Sequence, residues 1–416
     1  MKFNELRTKI VATIGPSSDN YDTMKSLIEA GVTTIRANFS HGGPETHVNK
    51  FEIARQISKE LNVPISLMLD TKGPEIRVGK MENDGVTIPA NHILKIKTDE
   101  NSYKNFLGTQ DQITVSYRMD NDLRIGDKVL IDDGKLVTTV KDIKKFEIIV
   151  ETVNEHFLKT NKRINIPGVN FSLPFLSQKD IDDIIWGAKY KVDYIAASFV
   201  NSAKNVKEIR DILNANGGEN IQIISKIESK MAINNIDEII EASDGIMVAR
   251  GDLGLEIPYY DVPYYEKKII RKCRLVGKEV IVATQMLDSM ENNPIPTRAE
   301  VTDVYYAVEL GADSTMLSGE SASGKYPVEA VKVMSKIAKR AEKEYYNELF
   351  YGKQIEKVAN HPTSRMLIAY EVAKILQSGE YKFAIILSHT GKLLKEVAKY
   401  RPNAFIVGVV SDNRLV

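Results

Sequence analysis

The chain has 416 residues, of which 56 are basic and 56 acidic, so its formal net charge is zero. That length is too great for one ordinary compact domain, and the charge balance excludes the basic excess with which nucleic-acid binders neutralise phosphates. Hydrophobic residues make up 43% of the chain and charged residues 27%, a globular mixture that excludes wholesale disorder.

From the N-terminus, short β-branched runs alternate with amphipathic helical stretches. The runs are residues 8–14 (TKIVATI), 33–39 (TTIRANF) and 63–70 (VPISLMLD), then 192–199, 221–227, 244–249, 278–284 and 312–317. Several are almost wholly apolar, as strands buried on both faces of a parallel sheet must be. Eight such strands, each linked through a helical pattern, predict an α/β fold of the parallel (β/α)8 barrel type.

One interval breaks the rhythm. Residues from about 75 to 165 read as short alternating strands, including QITVSYR and a hairpin with an Asp133–Gly134 turn. The expectation is a barrel built from residues 1–73 and 166–340, with a β-rich cap at 74–165 emerging over its C-terminal mouth. After the eighth strand come helical patterns, then YKFAIIL, the helical LLKEVAKY and NAFIVGVV, which suggest a third, α/β domain over 341–416. The chain stops directly after a strand, so that domain is expected to be incomplete.

The opening MKFNELRTKI lacks the apolar run of a signal peptide, and no later stretch reads as a membrane span. Cys273 is the single cysteine, so no intrachain disulfide forms. A soluble, cytoplasmic protein is expected. Cys273 reads as an inert thiol, and Trp186 with the tyrosines at 259, 260, 264 and 265 as packing residues. Neither a Walker A pattern nor a dinucleotide fingerprint is present.

In a parallel barrel, catalytic groups gather where strands end. Strand two ends in Arg36, Asn38, Ser40 and His41, and strand three in Asp70, Thr71 and Lys72. Lys226 and Glu228 follow on strand five, Arg250 and Asp252 on strand six, Thr284 and Gln285 on strand seven, and Ser318 and Glu320 on strand eight. Lys226 and Glu228 are two apart and share one face of an extended strand. Asp252 lies one βα unit further round, and two hard carboxylates on adjacent strands suit Mg²⁺ or Mn²⁺. A lysine beside such an ion fits stabilisation of a transferring phosphoryl group. The bland alternative is a salt-bridged trio. Asn38, Ser40, Asp70 and Thr71 offer one carboxylate and several neutral oxygens, a set suited to K⁺ or equally to turn caps. Gly251 and Asp252 open a helix whose amides face the mouth, and Thr297–Glu300 is a capping box with a structural role.

At RANFSHG, LDTKGPEIR, SKIE, VARGDLG, ATQML and PTRAEVTDV the chain closely resembles the pyruvate kinase family, in order from about Arg7 to Met334. The resemblance implies a barrel with an inserted β cap and a C-terminal α/β domain, and transfer of the phosphoryl group of phosphoenolpyruvate to ADP. It implies that Glu228 and Asp252 hold the divalent metal and that Lys226 and Arg36 stabilise the phosphoryl group. Thr284 and the amides of Gly251 and Asp252 would orient the substrate carboxylate, with Thr284 or a nearby water on the proton route. Asn38, Ser40, Asp70 and the Thr71 carbonyl match a K⁺ site, with Glu75 of the potassium-dependent kind, and Asn38, His41, Arg77 and Lys162 match positions near the nucleotide. A homotetramer is implied as well. Three departures stand out: Ser229 in place of asparagine, Arg163 in place of a glycine beside Lys162, and Leu393 in place of a hydroxyl residue in the loop after Ser388. Rival readings are a metal-dependent aldolase or lyase acting on pyruvate or oxaloacetate, and a catalytically inactive binding homologue.

Overall fold

The apolar runs assemble into one closed parallel barrel in the computed structural model, which describes residues 6–169, 171–345 and 363–410. Its strands are β1 (Lys9–Thr13), β2 (Thr34–Asn38) and β3 (Ser66–Asp70), then β13 (Tyr194–Ala197), β14 (Gln222–Ile227), β15 (Gly245–Ala249), β16 (Glu279–Ala283) and β17 (Ser314–Leu317). Each pairs in parallel with its neighbours, and β1 closes the ring against β17. Every barrel strand falls inside the stretch expected for it, trimmed by one to three residues at its ends. Trimming of that size is the ordinary uncertainty of element boundaries.

Two apolar layers result. Val11, Met68, Ala196, Ile224, Met247, Ile281, Ala283 and Met316 fill the inside of the barrel. The alternate residues, such as Ile10, Ile35, Leu69, Ile195, Ile223, Ile246 and Val282, pack outward against the helices. Because side chains alternate, the residue two beyond an inner apolar one also points inward, at the mouth. Met68 is thus followed by Asp70, Ala196 by Ser198 and Ile224 by Lys226. The helices that follow β15 and β16 end at Gly277 (φ 71°) and Gly311 (φ 93°), where a left-handed residue closes the last turn.

Between β3 and the helix Gln178–Tyr190 lie nine further strands: β4 (Ile76–Arg77), β5 (Gly85–Ile88), β6 (Ile93–Lys97), β7 (Gln112–Thr114), β8 (Lys128–Ile131), β9 (Leu136–Lys144), β10 (Glu147–Thr152), β11 (His156–Lys159) and β12 (Arg163–Asn165). Seven of them form one sheet in the order β4-β12-β8-β9-β10-β6-β7, and β11 pairs with β5. Their buried residues, from Ile76 to Ile166, form a core separate from that of the barrel. The β8–β9 hairpin turns through Asp132, Asp133 and Gly134, all with left-handed φ between 54° and 78°.

The helix Pro327–Tyr345 closes the barrel layer and the helix Ser364–Gln377 follows the undescribed stretch 346–362. Then come β18 (Phe383–Ser388), the helix Lys392–Ala398 and β19 (Phe405–Val410), with β18 and β19 parallel. The last expected residues, 411–416, lie outside the described ones. Among the described residues no helix is long and apolar enough to cross a membrane. Trp186 stacks on Tyr190 with ring centroids 4.7 Å apart, a packing role. Cys273 is buried, and burial raises its thiol well above the ordinary range, where it stays protonated and inert.

Candidate active site at the barrel mouth

The register of the barrel decides which mouth residues meet. Thr13 pairs with Arg36 and Asn38 with Asp70, so three consecutive strand ends carry polar groups side by side. Arg36 donates from Nε to Asp70 Oδ2 at 2.7 Å and from Nη1 to Thr13 Oγ1 at 2.7 Å. On the next strands, Ala197 pairs with Ser225, which sets Ser198 beside Lys226.

Lys226 is only 8% exposed, a costly place for an ammonium unless its protons are all taken. They are. Nζ lies 3.0 Å from Asp70 Oδ1, 2.9 Å from Ser198 Oγ and 3.0 Å from Glu228 Oε1. Burial alone would lower its pKa, but Asp70 and Glu228 hold it above the ordinary lysine range. Asp70 has no exposed surface at all; burial alone would raise it, yet Arg36 and Lys226 keep it below the usual carboxylate range. Both groups therefore stay charged in the interior.

Glu228 is different. Its Oε2 accepts the amide of Phe199 at 2.7 Å, an amide aimed by a left-handed Phe199 (φ 55°). Burial pushes its pKa up to about 7, against the pull of Lys226 and helped by the negative charge of Asp252. It is a buried carboxylate with less countercharge than it can use, next to a second carboxylate. That donor set fits a hard divalent cation. Among the described residues no group of three or more His, Cys, Asp or Glu forms a ready-made cage. A divalent ion held by these two carboxylates would need its remaining ligands from water or substrate.

Asp252 sits on the short helix Arg250–Glu256, and its Oδ1 accepts a hydrogen bond from Nη2 of Arg163, on β12 of the cap. Across from it, Thr284 Oγ1 accepts the Gly251 amide at 2.7 Å and donates to the Ala283 carbonyl at 2.6 Å. A Cβ at Gly251 would stand 3.3 Å from that hydroxyl, a tight approach to which Thr284 would have to give way slightly. Thr284 and Gln285 both have left-handed backbone, φ 69° and 53°, a conformation disfavoured for a β-branched residue. Arg250 holds the turn by donating from Nη2 to the carbonyls of Thr284 (2.8 Å) and Gln285 (3.3 Å), and is itself anchored by Asp303 at 2.6 Å. Glu320, on the short helix Gly319–Ala322 that follows β17, accepts the amides of Leu287 and Ser318 at 3.0 and 2.7 Å and serves the loops.

The K⁺ set is contiguous but engaged. Asn38 Oδ1 accepts the Ser40 amide at 3.1 Å, and the Thr71 carbonyl accepts the Ser198 hydroxyl at 2.6 Å. A carboxylate or carbonyl oxygen keeps a second lone pair for a weakly held ion, so the set fits one. The residues matched to the nucleotide divide between two bodies. His41 is exposed on the loop after β2, whereas Arg77 and Lys162 belong to the cap. Arg77 pairs with Glu75 at 2.6 Å, and Lys162 pairs with Asp132 at 2.9 Å. Two participants escaped the sequence reading. Ser198 was the missing contribution of strand four, legible as the polar residue at one of the two strand ends left blank. Thr13, at the end of strand one, was legible in the same way. The pairing of Arg163 with Asp252 joins residues 89 apart and had no signal in the sequence.

Comparison with known proteins bears on the family and the fold. The family model for the pyruvate kinase barrel domain matches residues 5–331. A pyruvate kinase of Mycoplasma pneumoniae is 48% identical over 360 residues, covering 81% of this chain and 71% of that protein. A pyruvate kinase of Geobacillus stearothermophilus is 43% identical over 409 residues, covering 98% of this chain and 68% of that protein. The crystal structure of a pyruvate kinase from Cryptosporidium parvum superposes with a TM-score of 0.92 at 38% identity, over 99% of this chain and 84% of that one.

Proposed function

The chain belongs to the pyruvate kinase family, and from that premise we propose which of its residues carry phosphoryl transfer from phosphoenolpyruvate to ADP. The aldolase or lyase reading finds no support among these relatives. One observation carries the assignment: a buried Lys226 ammonium held by Asp70, Ser198 and Glu228, one strand from Asp252.

Glu228 and Asp252 hold Mg²⁺ or Mn²⁺, which when bound supplies positive charge against the substrate oxygens. Lys226 and Arg36 present two fixed cations to the phosphoryl group, whose charge spreads over its oxygens as the bond to the enol oxygen breaks and the bond to the ADP oxygen forms. Fixed charges need no reorganisation at that moment, which is why they are worth more here than in water. The Asp252 backbone amide would meet the substrate carboxylate together with the Gly251 amide and the Thr284 hydroxyl, which in this structure bond Thr284 Oγ1 and the Ala283 carbonyl and would exchange those partners for it. The carbon left as an enolate takes its proton from the Thr284 hydroxyl or from a water hydrogen-bonded to it. Asn38, Ser40, Asp70 and the Thr71 carbonyl hold K⁺, and Asn38, His41, Arg77 and Lys162 approach the nucleotide. The barrel is assigned to 1–73 and 166–340, the cap to 74–165 and the C-terminal domain to 341–416, in a cytoplasmic homotetramer; family membership supports the assembly and compartment.

The test is Lys226→Met. Turnover should fall by about 10²–10³, the usual cost of one preorganised electrostatic partner, with the KM for phosphoenolpyruvate changed far less. Removing the ammonium also strands the buried Glu228 carboxylate and leaves Asp70 with Arg36 alone, at roughly 3–5 kcal/mol, so a melting curve must accompany the kinetics. A folded variant with an unchanged turnover number would remove Lys226 from the mechanism. A folded wild-type chain that makes no pyruvate from phosphoenolpyruvate and ADP with Mg²⁺ and K⁺ would sink the whole reading.

A further inference from the structure

Arg163 is the single described side chain that ties the cap to a carboxylate of the barrel mouth. It lies on β12, whose residues pair with β4 through Arg163–Arg77 and with β8 through Ile164–Ile131. From there its Nη2 reaches both Asp252 Oδ1 on the barrel and Asp133 Oδ1 in the cap's β8–β9 turn, the latter at 3.0 Å. Nη1 faces Glu75 Oε1 at 3.9 Å. The group is mostly buried, and these carboxylates hold its pKa above even the ordinary arginine range.

The cap's turn and the segment just after β12 lie against the same short helix. A Cβ at Gly134 would stand 3.2 Å from Leu255, and the Gly168 amide donates to Glu256 Oε2 at 3.4 Å. The guanidinium is thus the ion pair between the cap's β12 and the helix Arg250–Glu256 among the described residues.

We propose that Arg163 is the resident cation of Asp252 in the metal-free protein, so that a divalent ion must displace it and loosens the cap's 132–134 turn in doing so. The inference rests on Asp252 being a metal ligand, as assigned above. A lone pair held by a guanidinium is withheld from a metal, so the two cations compete for one carboxylate. Arg163 then sets how tightly the empty enzyme holds its metal, and it couples metal loading to the fit of the cap. Competition of this kind is reciprocal: whatever the guanidinium takes from metal affinity, the metal takes from the cap's attachment.

Mn²⁺ binding to the full chain without substrates, read by electron paramagnetic resonance, tests it. Arg163→Met should bind Mn²⁺ about tenfold more tightly than wild type, within the range typical of coupled sites. Lys135→Met removes the same charge from the cap's turn without touching Asp252, and should leave the affinity within about twofold; a gain equal to that of Arg163→Met would show mere through-space charge and overturn the proposal. Amide hydrogen exchange gives a second readout that needs no variant. In wild type, Mn²⁺ should speed exchange at residues 132–134 and 163–165, and exchange unmoved by saturating Mn²⁺ would overturn the proposal even if Arg163→Met failed to fold. Equal Mn²⁺ affinity in wild type and Arg163→Met refutes the competition while leaving the metal site standing. Absence of Mn²⁺ binding in both refutes the metal site itself, and the proposal with it.

Discussion

Buried polar groups at the mouth of this barrel persist because each has a defined partner, and His47 shows the rule away from the charges. It lies on the helix Pro44–Leu61 and is 3% exposed, against Phe39. Its Nε2 meets the His41 carbonyl at 2.8 Å. A carbonyl only accepts, so Nε2 carries the hydrogen and Nδ1 is left to accept from Lys50 Nζ at 3.3 Å. Burial, then the Lys50 charge, lower its pKa to about 4. Between about 4 and the ordinary 6.5 the unfolded chain therefore binds a proton that the folded chain refuses. Stability from this residue is complete above pH 6.5 and is lost as pH falls through that window, by at most about 3 kcal/mol. His47→Gln should flatten the decline in urea-unfolding free energy between pH 6.5 and 4.5. A slope identical to wild type would mean that the imidazole is not held neutral.

At the scale of elements, much was legible because the signals are local. Period-two and all-apolar runs marked each barrel strand, and the Asp133–Gly134 pair marked the β8–β9 turn. Thr297 and Glu300 form the capping box expected at the helix Arg298–Leu310, Thr297 accepting the Glu300 amide and Glu300 the Thr297 amide at 2.7 Å. Its second duty was not legible. The same carboxylate accepts the Ser289 amide at 2.7 Å and its hydroxyl at 2.6 Å, fastening the short 3-10 turn after β16 to the helix. Burial alone would raise the pKa of Glu300, but these donors hold it below the ordinary range. Glu300→Ala should therefore cost about 2 kcal/mol in urea unfolding, above the roughly 1 kcal/mol of a lost cap. A loss no larger than that of Thr297→Ala would show that the tie to Ser289 contributes nothing.

Across the whole molecule, four apolar clusters form among the described residues without merging: the inside of the barrel, its outer layer against the helices, the cap and the segment 363–410. The last docks largely through polar contacts. Arg401 pairs with Asp313 at 2.7 Å and donates to the Gly311 carbonyl at 3.0 Å, while Arg7 donates to Pro402 and Asn403 at 3.1 and 3.3 Å. Charged contacts at a surface are weakened by salt, whereas apolar packing is not. Arg401→Ala should raise protease cutting within 363–410 several-fold, as should 0.5 M salt in wild type (about a 4 Å screening length), and leave the barrel intact. Unchanged cutting in the variant would mean that the segment is held by other contacts.

What the amino-acid order settled by itself was the set of elements and the ring of polar residues at their ends. Alternation and apolar runs are properties of neighbours a few residues apart, so Asp70, Lys226, Glu228 and Asp252 could be placed at the mouth from spacing alone. Only the closed barrel decided who meets whom. Register set Ser198 against Lys226, and the packing of the cap on the helix Arg250–Glu256 gave Asp252 the guanidinium of Arg163. Such pairings depend on strand register and on how two bodies dock, and both are fixed by long-range packing that local sequence does not encode.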